Sequence, residues 1–243
     1  MSKKGWDNFW KDQRQSFYAV MKMATGYFVT QLEKKYRLQP NDTIFDYGCG
    51  PGFVADSLAG KNNRIAGADI NEFFIQQCRH NHPEALFFLI TTTVATNKKI
   101  LEEQLQHRKF DYILVLSIVQ YLPHEKELEE IMGLLGRYLE PQGKLIIADV
   151  LDENTSSLKD AFSLFIHCLK KGRLGAFLGF ISYLLFSDYR MISKQNKLLH
   201  VSEQAIRDMA KRQALTCEKV PGLTLQKSRS NYVLGHGSVK SPV

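Results

Sequence analysis

The chain has no cysteine motif of the kind that holds a metal or staples a small fold. Its four cysteines, Cys49, Cys78, Cys168 and Cys217, stand far apart with no CxxC spacing. That excludes a sequence-recognisable zinc site and disfavours a disulfide framework, which belongs to small secreted domains. Long apolar runs are missing too. The most apolar stretch, Leu174–Phe186, covers 13 residues, whereas a membrane-spanning helix needs about 20. The opening MSKKGWDNFWKDQRQ has early lysines but no apolar run behind them, so no secretory signal is expected. Repeats and low-complexity tracts are also lacking, and no linker is long enough to separate independent domains. A soluble, cytoplasmic protein is the expectation.

What remains is an ordinary globular composition with an uneven charge. Of 243 residues, 44% are hydrophobic and 23% charged, enough to build a substantial core. The net charge of +7 divides into +5 over residues 1–40, −5 over 41–150 and +7 over 151–243. An acidic middle between basic flanks does not look like a nucleic-acid-reading surface, where charge gathers on the reading element.

Periodicity gives the architecture. Residues 8–36 read as a helix with Phe17, Val20, Met21, Ala24, Tyr27, Phe28 and Leu32 on one face. Gln39-Pro40-Asn41-Asp42 breaks it. Strands are then expected at Thr43–Tyr47, Arg64–Asp69, Leu86–Ile90, Asp111–Ser117 and Lys144–Asp149. Helices fall between them at Phe53–Ala59, Glu72–His80, Lys98–Gln106 and Glu125–Tyr138. Near-continuous apolar strands alternating with amphipathic helices predict an α/β fold with a doubly wound, mostly parallel sheet. Two apolar helices, Asp160–Lys171 and Leu174–Tyr189, interrupt the alternation. A helix from Glu203 to about Ala214 follows, then two strands, Thr216–Val220 and Asn231–Gly235, expected as an antiparallel pair at one edge.

The most informative stretch is Asp46-Tyr-Gly48-Cys-Gly50-Pro-Gly52-Phe53, between the first strand and its helix. Open α/β sheets bind ligands there, and glycines let a ligand approach the backbone. Asp69 follows Gly48 by 21 residues and ends the second strand, where a carboxylate can accept ribose hydroxyls. A dinucleotide site needs G-x-G-x-x-G, but Phe53 stands in the third glycine's place.

This loop instead resembles the first motif of the class I S-adenosylmethionine-dependent methyltransferases. Asp69 resembles the family's second-strand acid, Phe110–Pro123 its fourth-strand segment, and Leu139-Glu-Pro141-Gln-Gly143 through Asp149 its Pro-Gly-Gly turn and fifth strand. The resemblance covers roughly residues 40–150 and 200–236. It implies a seven-stranded Rossmann-like sheet with an antiparallel C-terminal strand pair, and S-adenosyl-L-methionine as cofactor. Gly48, Gly50 and Gly52 would pass close to it, Asp46 would meet its ammonium group, and Asp69 its ribose. Cys49, Ile70, Leu116 and Ser117 would lie beside it. Thr92 stands where the family often has an acid near the adenine. Trp10, Arg14 and Tyr18 of the N-terminal helix are placed to close over the methionine end.

The acceptor side is less defined. Methyl transfer from a sulfonium is an in-line displacement, needing a base only if the acceptor must lose a proton. By fold position the candidates are Gln120, Tyr121, His124 and Asp149, with His167 in the first inserted helix; Tyr121, His124 and His167 are the expected catalytic residues. Residues 1–40 are read as a helical lid, 41–150 with 200–243 as the core, and 151–199 as a helical cap. The cap carries Phe162, Phe165, Ile166 and Leu169 on one face and Phe177, Phe180, Ile181, Leu184 and Leu185 on another. These stripes fit packing against each other, a lid over an acceptor, a homodimer interface or peripheral membrane contact. The expected function is methylation of a small hydrophobic or aromatic acceptor, free or carrier-bound, at oxygen. Two alternatives stand beside it. RNA methylation is disfavoured by the lack of an Asn/Asp-Pro-Pro-aromatic motif after the fourth strand, where Ser117-Ile-Val-Gln-Tyr stands. A non-catalytic cofactor-binding role is the other. No metal is expected.

Overall fold

The computed structural model describes residues 15–61, 63–186 and 197–237. A long helix, α1 (Gln15–Tyr36), leads into an alternating core. Its elements are β1 (Thr43–Tyr47), α2 (Phe53–Leu58), β2 (Arg64–Asp69), α3 (Glu72–Asn81), β3 (Leu86–Leu89), α4 (Val94–Leu105) and β4 (Phe110–Leu116), then α5 (Glu125–Gly136) and β5 (Leu139–Val150). The inserted helices are α6 (Ser157–Lys170) and α7 (Leu174–Phe186). The chain finishes with α8 (Glu203–Arg212), β6 (Leu215–Lys219) and β7 (Ser230–His236).

The strands form one sheet in the order β3-β2-β1-β4-β5-β7-β6. All neighbours run parallel as far as β5, while β7 is antiparallel to both β5 and β6. The expected seven-stranded sheet with its antiparallel pair is therefore the one observed. The order reverses between β1 and β4, and that crevice is where ligands bind in such sheets.

Alternation along each strand sends side chains to two apolar layers. Phe45, Ile113, Val115, Leu145 and Ile147 enter one layer with Leu101, Leu128 and Ile206 from α4, α5 and α8. Ile44, Leu114, Ile146 and Ala148 enter the other, covered by Phe28, Val29 and Leu32 of α1 and by Val54 and Leu58 of α2. The C-terminal half of α1 thus forms part of the core layer. Its N-terminal half turns to the inserted helices, where Val20 joins Leu164, Cys168 and Leu225, with Tyr27, Phe177 and Phe180 packed against them.

Among the described residues, two boundaries differ from the sequence expectation by four residues or more. Helix α4 begins at Val94, four residues early, because Thr93 accepts the opening backbone bonds from Thr96 and Asn97. Strand β5 begins at Leu139, which pairs with Phe110, and the register then jumps so that Lys144 pairs with Tyr112. The Glu140–Gly143 turn is an excursion inside the strand. Gly143 is required there, since a Cβ would lie 2.7 Å from the Phe110 carbonyl oxygen.

Leu32 is fully buried at the α1–sheet contact. Leu32→Ala should cost about 2–5 kcal/mol of unfolding free energy by loss of burial and creation of a cavity. Urea titration would measure it.

Candidate functional site

The loop after β1 is bent back by three glycines in the left-handed region, with φ of 85° at Gly48, 50° at Gly50 and 85° at Gly52. The N–H groups of Gly48 and Cys49 both donate to the Ala68 carbonyl, at 2.7 and 3.0 Å. Two of the glycines are also crowded by neighbouring side chains. A Cβ on Gly48 would lie 2.4 Å from Ile118 Cδ1, and one on Gly52 would lie 2.9 Å from Cys78 Sγ. At Gly50 a Cβ would meet nothing within 4 Å. The loop therefore presents its middle to open space.

Asp69 ties this loop to the end of β2. Its Oδ2 accepts from the Gly50 N–H at 2.9 Å and its Oδ1 from the Asn71 N–H at 2.8 Å. Burial raises its pKa, and backbone donors at Asn71, Gly50 and Ile70 oppose that rise. Each oxygen keeps a second lone pair for a hydroxyl donor. Asp46 is buried nearby and has no hydrogen-bond partner among the described residues. Burial, and then the neighbouring charge of Asp69, push its pKa up to about 7. Ile70, Phe73 and Leu89 are exposed large apolar side chains around this end of the sheet, with Leu89 in register beside Asp69.

After β3, Thr92 is exposed and makes no hydrogen bond among the described residues. The loop is organised instead by Asn97, which the sequence reading did not single out. Its Oδ1 accepts from the Thr91 N–H at 2.7 Å, and its Nδ2 donates to the Thr91 carbonyl at 2.9 Å and to Tyr47 Oη at 3.0 Å. A signal existed, because Asn97 is a polar residue at the four-residue spacing of the buried Leu101 and Leu105.

The ends of β4 and β5 carry a second polar cluster. Ser117 and Asp149 both have positive φ, 57° and 65°, conformations that non-glycine residues adopt at a cost. Ser117 Oγ donates to Asp149 Oδ2 at 2.7 Å, and the Asp149 N–H donates to Asn231 Oδ1 at 3.1 Å. Asp149 Oδ1 is buried, has no hydrogen bond among the described residues, and lies 3.9 Å from Arg229 Nη1. Burial raises the Asp149 pKa, while Arg229 and the Ser117 hydroxyl hold it down. Arg229 is fixed by Nε donating to Asp160 Oδ2 at 2.6 Å, and Ser228 Oγ donates to the other Asp160 oxygen. A cavity of about 40 Å³ opens here, lined by Ala24, Thr25 and Phe28 of α1, by Leu116, Ser117 and Asp149, and by Thr224, Leu225 and Gln226.

The remaining sequence candidates distribute around these centres. Gln120 is buried, its Nε2 donating to the Ser117 carbonyl at 2.9 Å. Tyr121 is half-buried in the short 3-10 turn after β4, within electrostatic range of Arg229. His124 is exposed at the start of α5 and makes no side-chain capping bond. His167 packs edge-on against Tyr27 of α1 at 5.6 Å, and burial, then Lys171 and Lys170, lower its pKa. Tyr18 packs edge-on against Phe53 at 5.7 Å. Cys49 is buried behind the glycine loop, its thiol pKa raised by a hydrogen bond with Cys78 and by burial. Trp10 and Arg14 lie outside the described residues.

A glycine cradle at the switch point, a carboxylate clamped across from it and an antiparallel last strand define a Rossmann-like methyltransferase fold. The family described as "Methyltransferase domain" matches residues 38–205, more than half of the chain. The chain belongs to that family, and its fold is that of the class I S-adenosylmethionine-dependent methyltransferases. It is 30% identical over 94 residues to the O-antigen chain terminator bifunctional methyltransferase/kinase WbdD of Escherichia coli, covering 39% of this chain and 13% of that protein. It is 26% identical over 119 residues to the ubiquinone biosynthesis O-methyltransferase of Hydrogenovibrio crunogenus, covering 48% of this chain and 46% of that protein. The chain thus matches less than half the length of either relative. Among solved structures, the magnesium protoporphyrin IX methyltransferase of Synechocystis PCC 6803 with S-adenosylmethionine bound superposes with a TM-score of 0.57 at 13% identity, covering 93% of this chain and 86% of that one. That likeness is one of fold.

The open space at Gly50, the free lone pairs of Asp69 and the unpaired carboxylate of Asp46 fit a ligand with hydroxyl and ammonium donors, as S-adenosylmethionine has. Gly48→Ala should lower unfolding stability by at least about 1 kcal/mol from the positive φ alone, and further through the Ile118 clash. Gly50→Ala should cost only the φ penalty, with its larger effect on S-adenosylhomocysteine affinity. Paired denaturant titration and calorimetry would separate the two.

Proposed function

We propose that the chain methylates the oxygen of a small hydrophobic or aromatic molecule, bound beneath α1 between the ends of β4 and β5 and the inserted helices. The observation that carries this reading is Asp149, which lines the cavity with Phe28, Leu116 and Leu225 beside Thr25, Ser117, Thr224 and Gln226, and whose Oδ1 is buried without a hydrogen bond among the described residues. An unmet buried acceptor is costly, and a hydroxyl on an apolar acceptor would satisfy it. S-adenosylmethionine supplies a methyl group already activated on its sulfonium.

The chain's own residues then align and dehydrate. The glycine loop and Asp69 hold the cofactor, with Asp69 receiving the ribose hydroxyls and Asp46 the ammonium group. Ile70, with Phe73 and Leu89, offers apolar surface to the adenine, and Thr92 is exposed beside it. Helix α1 with α6 and α7 encloses the acceptor and excludes water, Tyr121 and His167 standing near its walls. Asp149 Oδ1 accepts the acceptor's hydroxyl proton as oxygen becomes nucleophilic. Ser117 and Arg229 stabilise its ionised form, and burial makes it a stronger base than a solvated carboxylate.

Four outcomes follow from this reading. Asp69→Ala should weaken S-adenosylhomocysteine binding about ten-fold or more, the scale of a lost charged hydrogen bond; unchanged affinity would remove Asp69 from the ribose. Below about pH 7 Asp46 is protonated and neutral. Binding of a cationic ammonium should therefore tighten as pH rises from about 6 to 8, and Asp46→Asn should flatten that profile. In the unliganded protein the same raised pKa means that stability falls as pH climbs from the ordinary carboxylate range through about 7. Asp149→Asn should keep S-adenosylhomocysteine affinity but lose roughly 10²–10⁴-fold in turnover across a panel of phenols and alkyl alcohols.

A further inference from the structure

Eight large hydrophobic side chains stand exposed among the described residues. Three of them, Ile70, Phe73 and Leu89, rim the site already described. The other five, Leu158, Phe162, Leu169, Leu174 and Leu178, all belong to α6 and α7. On α6, Leu158, Phe162 and Leu169 fall within about 40° of one another around the helix axis. Leu164 and Cys168, which dock the helix on α1, lie about 120° round the axis from the middle of this stripe. Leu158 is 85% exposed and Phe162 65%. Such a face is not a core face left slightly open. On α7, Leu174 and Leu178 stand one turn apart, with Leu178 66% exposed. An edge-on contact between Phe165 and Phe177, centroids 5.3 Å apart, joins the two helices beside these residues.

The charged residues exposed on α6 and in the turn joining it to α7 have one sign. Lys159, Lys170, Lys171 and Arg173 are exposed, and Lys159 and Lys170 flank the α6 stripe on the same side, about 100–120° round from Leu158. The only acidic side chain of α6 and α7, Asp160, is buried and neutralised by Arg229. Between Leu174 and Phe186 there is no charged residue. No described helix is long and apolar enough to cross a membrane.

We propose that α6 and α7 form a docking surface for an anionic lipid bilayer. The leucines and Phe162 enter the headgroup–acyl boundary, and the lysines and Arg173 meet acidic headgroups. An apolar helix face with a basic border and no acid is the chemistry such an interface selects. A second copy of this chain would bring the same four cations against themselves, which makes a bilayer the better electrostatic match. The inference rests on exposed residues of the cap and stands whether or not Asp149 is the base. With methyl transfer, it places the acceptor in or at the membrane, because the same two helices that meet lipid also pack on α1 beside the cavity.

Flotation of the full chain with sized vesicles tests it directly. Binding should be clear with vesicles of phosphatidylcholine and about one-third phosphatidylglycerol, weak with phosphatidylcholine alone, and reduced by added salt. Phe162→Asp should weaken partitioning about ten-fold or more, the scale of one aromatic side chain left out of an apolar phase. Lys170→Glu with Lys171→Glu should remove the preference for anionic vesicles. Calorimetry with S-adenosylhomocysteine on each variant should give the wild-type affinity, reporting an intact fold and keeping this test separate from the cofactor reading. Equal weak binding to both vesicle types would overturn the proposal. So would a dimer in light scattering that Phe162→Asp dissociates while neither form floats.

Discussion

The carboxylate of Asp69, shared between the N–H groups of Gly50 and Asn71, is the contact on which the site's geometry depends. It joins a loop leaving one strand to the exit of the next, and hydrogen bonds to an ionised acceptor are about twice as strong as neutral ones. Without it, three left-handed glycines would leave the backbone after β1 with many alternatives, because glycine loses the most conformational freedom on ordering. The Ala68 carbonyl, taking both Gly48 and Cys49 N–H groups, fixes the loop's other half. One strand end therefore shapes the cradle and keeps the lone pairs that face outward from it. The sheet's parallel register, Tyr47 opposite Ala68, is what puts loop and carboxylate at the same height.

Helix α1 couples this centre to the polar cluster at the ends of β4 and β5. Phe28, Val29 and Leu32 are sealed into the sheet layer, while Ala24, Thr25 and Phe28 wall the cavity at the ends of β4 and β5. One turn further, Tyr27 meets His167 and Val20 meets Leu164. A single rigid helix thus spans core, cavity and inserted helices. A shift of α6 and α7 would be passed to the cavity wall through packed side chains, which do not deform continuously.

Much of this was legible in the sequence, and the limits have physical causes. Strands β1 and β2 coincide with their expected bounds, since buried parallel strands are short apolar runs ended by glycine or turn residues. The glycine loop, Asp46 and Asp69 were readable because local spacing fixes their relation. The Asp149–Arg229–Asp160 cluster was not, because residues 69 and more positions apart meet only when β7 inserts beside β5. The α6 helix shows a different limit. Periodicity correctly puts Phe162 and Leu169 on one face, but it cannot say which way that face points. Leu164 and Cys168, a second and less conspicuous apolar face, dock the helix; Phe162 and Leu169 are left outward, while Phe165 of the same stripe packs on Phe177.

Strain and buried charge concentrate where ligands would act. Asp46 and Asp69 are neighbouring carboxylates, each raised in pKa first by burial. Ser117 and Asp149 hold positive φ, and Asp149 keeps an unmatched oxygen. None of these features stabilises the empty protein, and each costs on the order of 1–3 kcal/mol. The surrounding apolar layers over-determine the fold enough to carry that cost. A cationic, hydroxyl-bearing ligand would relieve the pair at β1 and β2, and a hydroxylated acceptor would relieve Asp149. On the function proposed above, the two sites are prepared in the same way: the scaffold withholds a hydrogen-bond or charge partner that the ligand brings. This is preorganisation, in which the cost of orienting polar groups is met during folding and not at the moment of reaction.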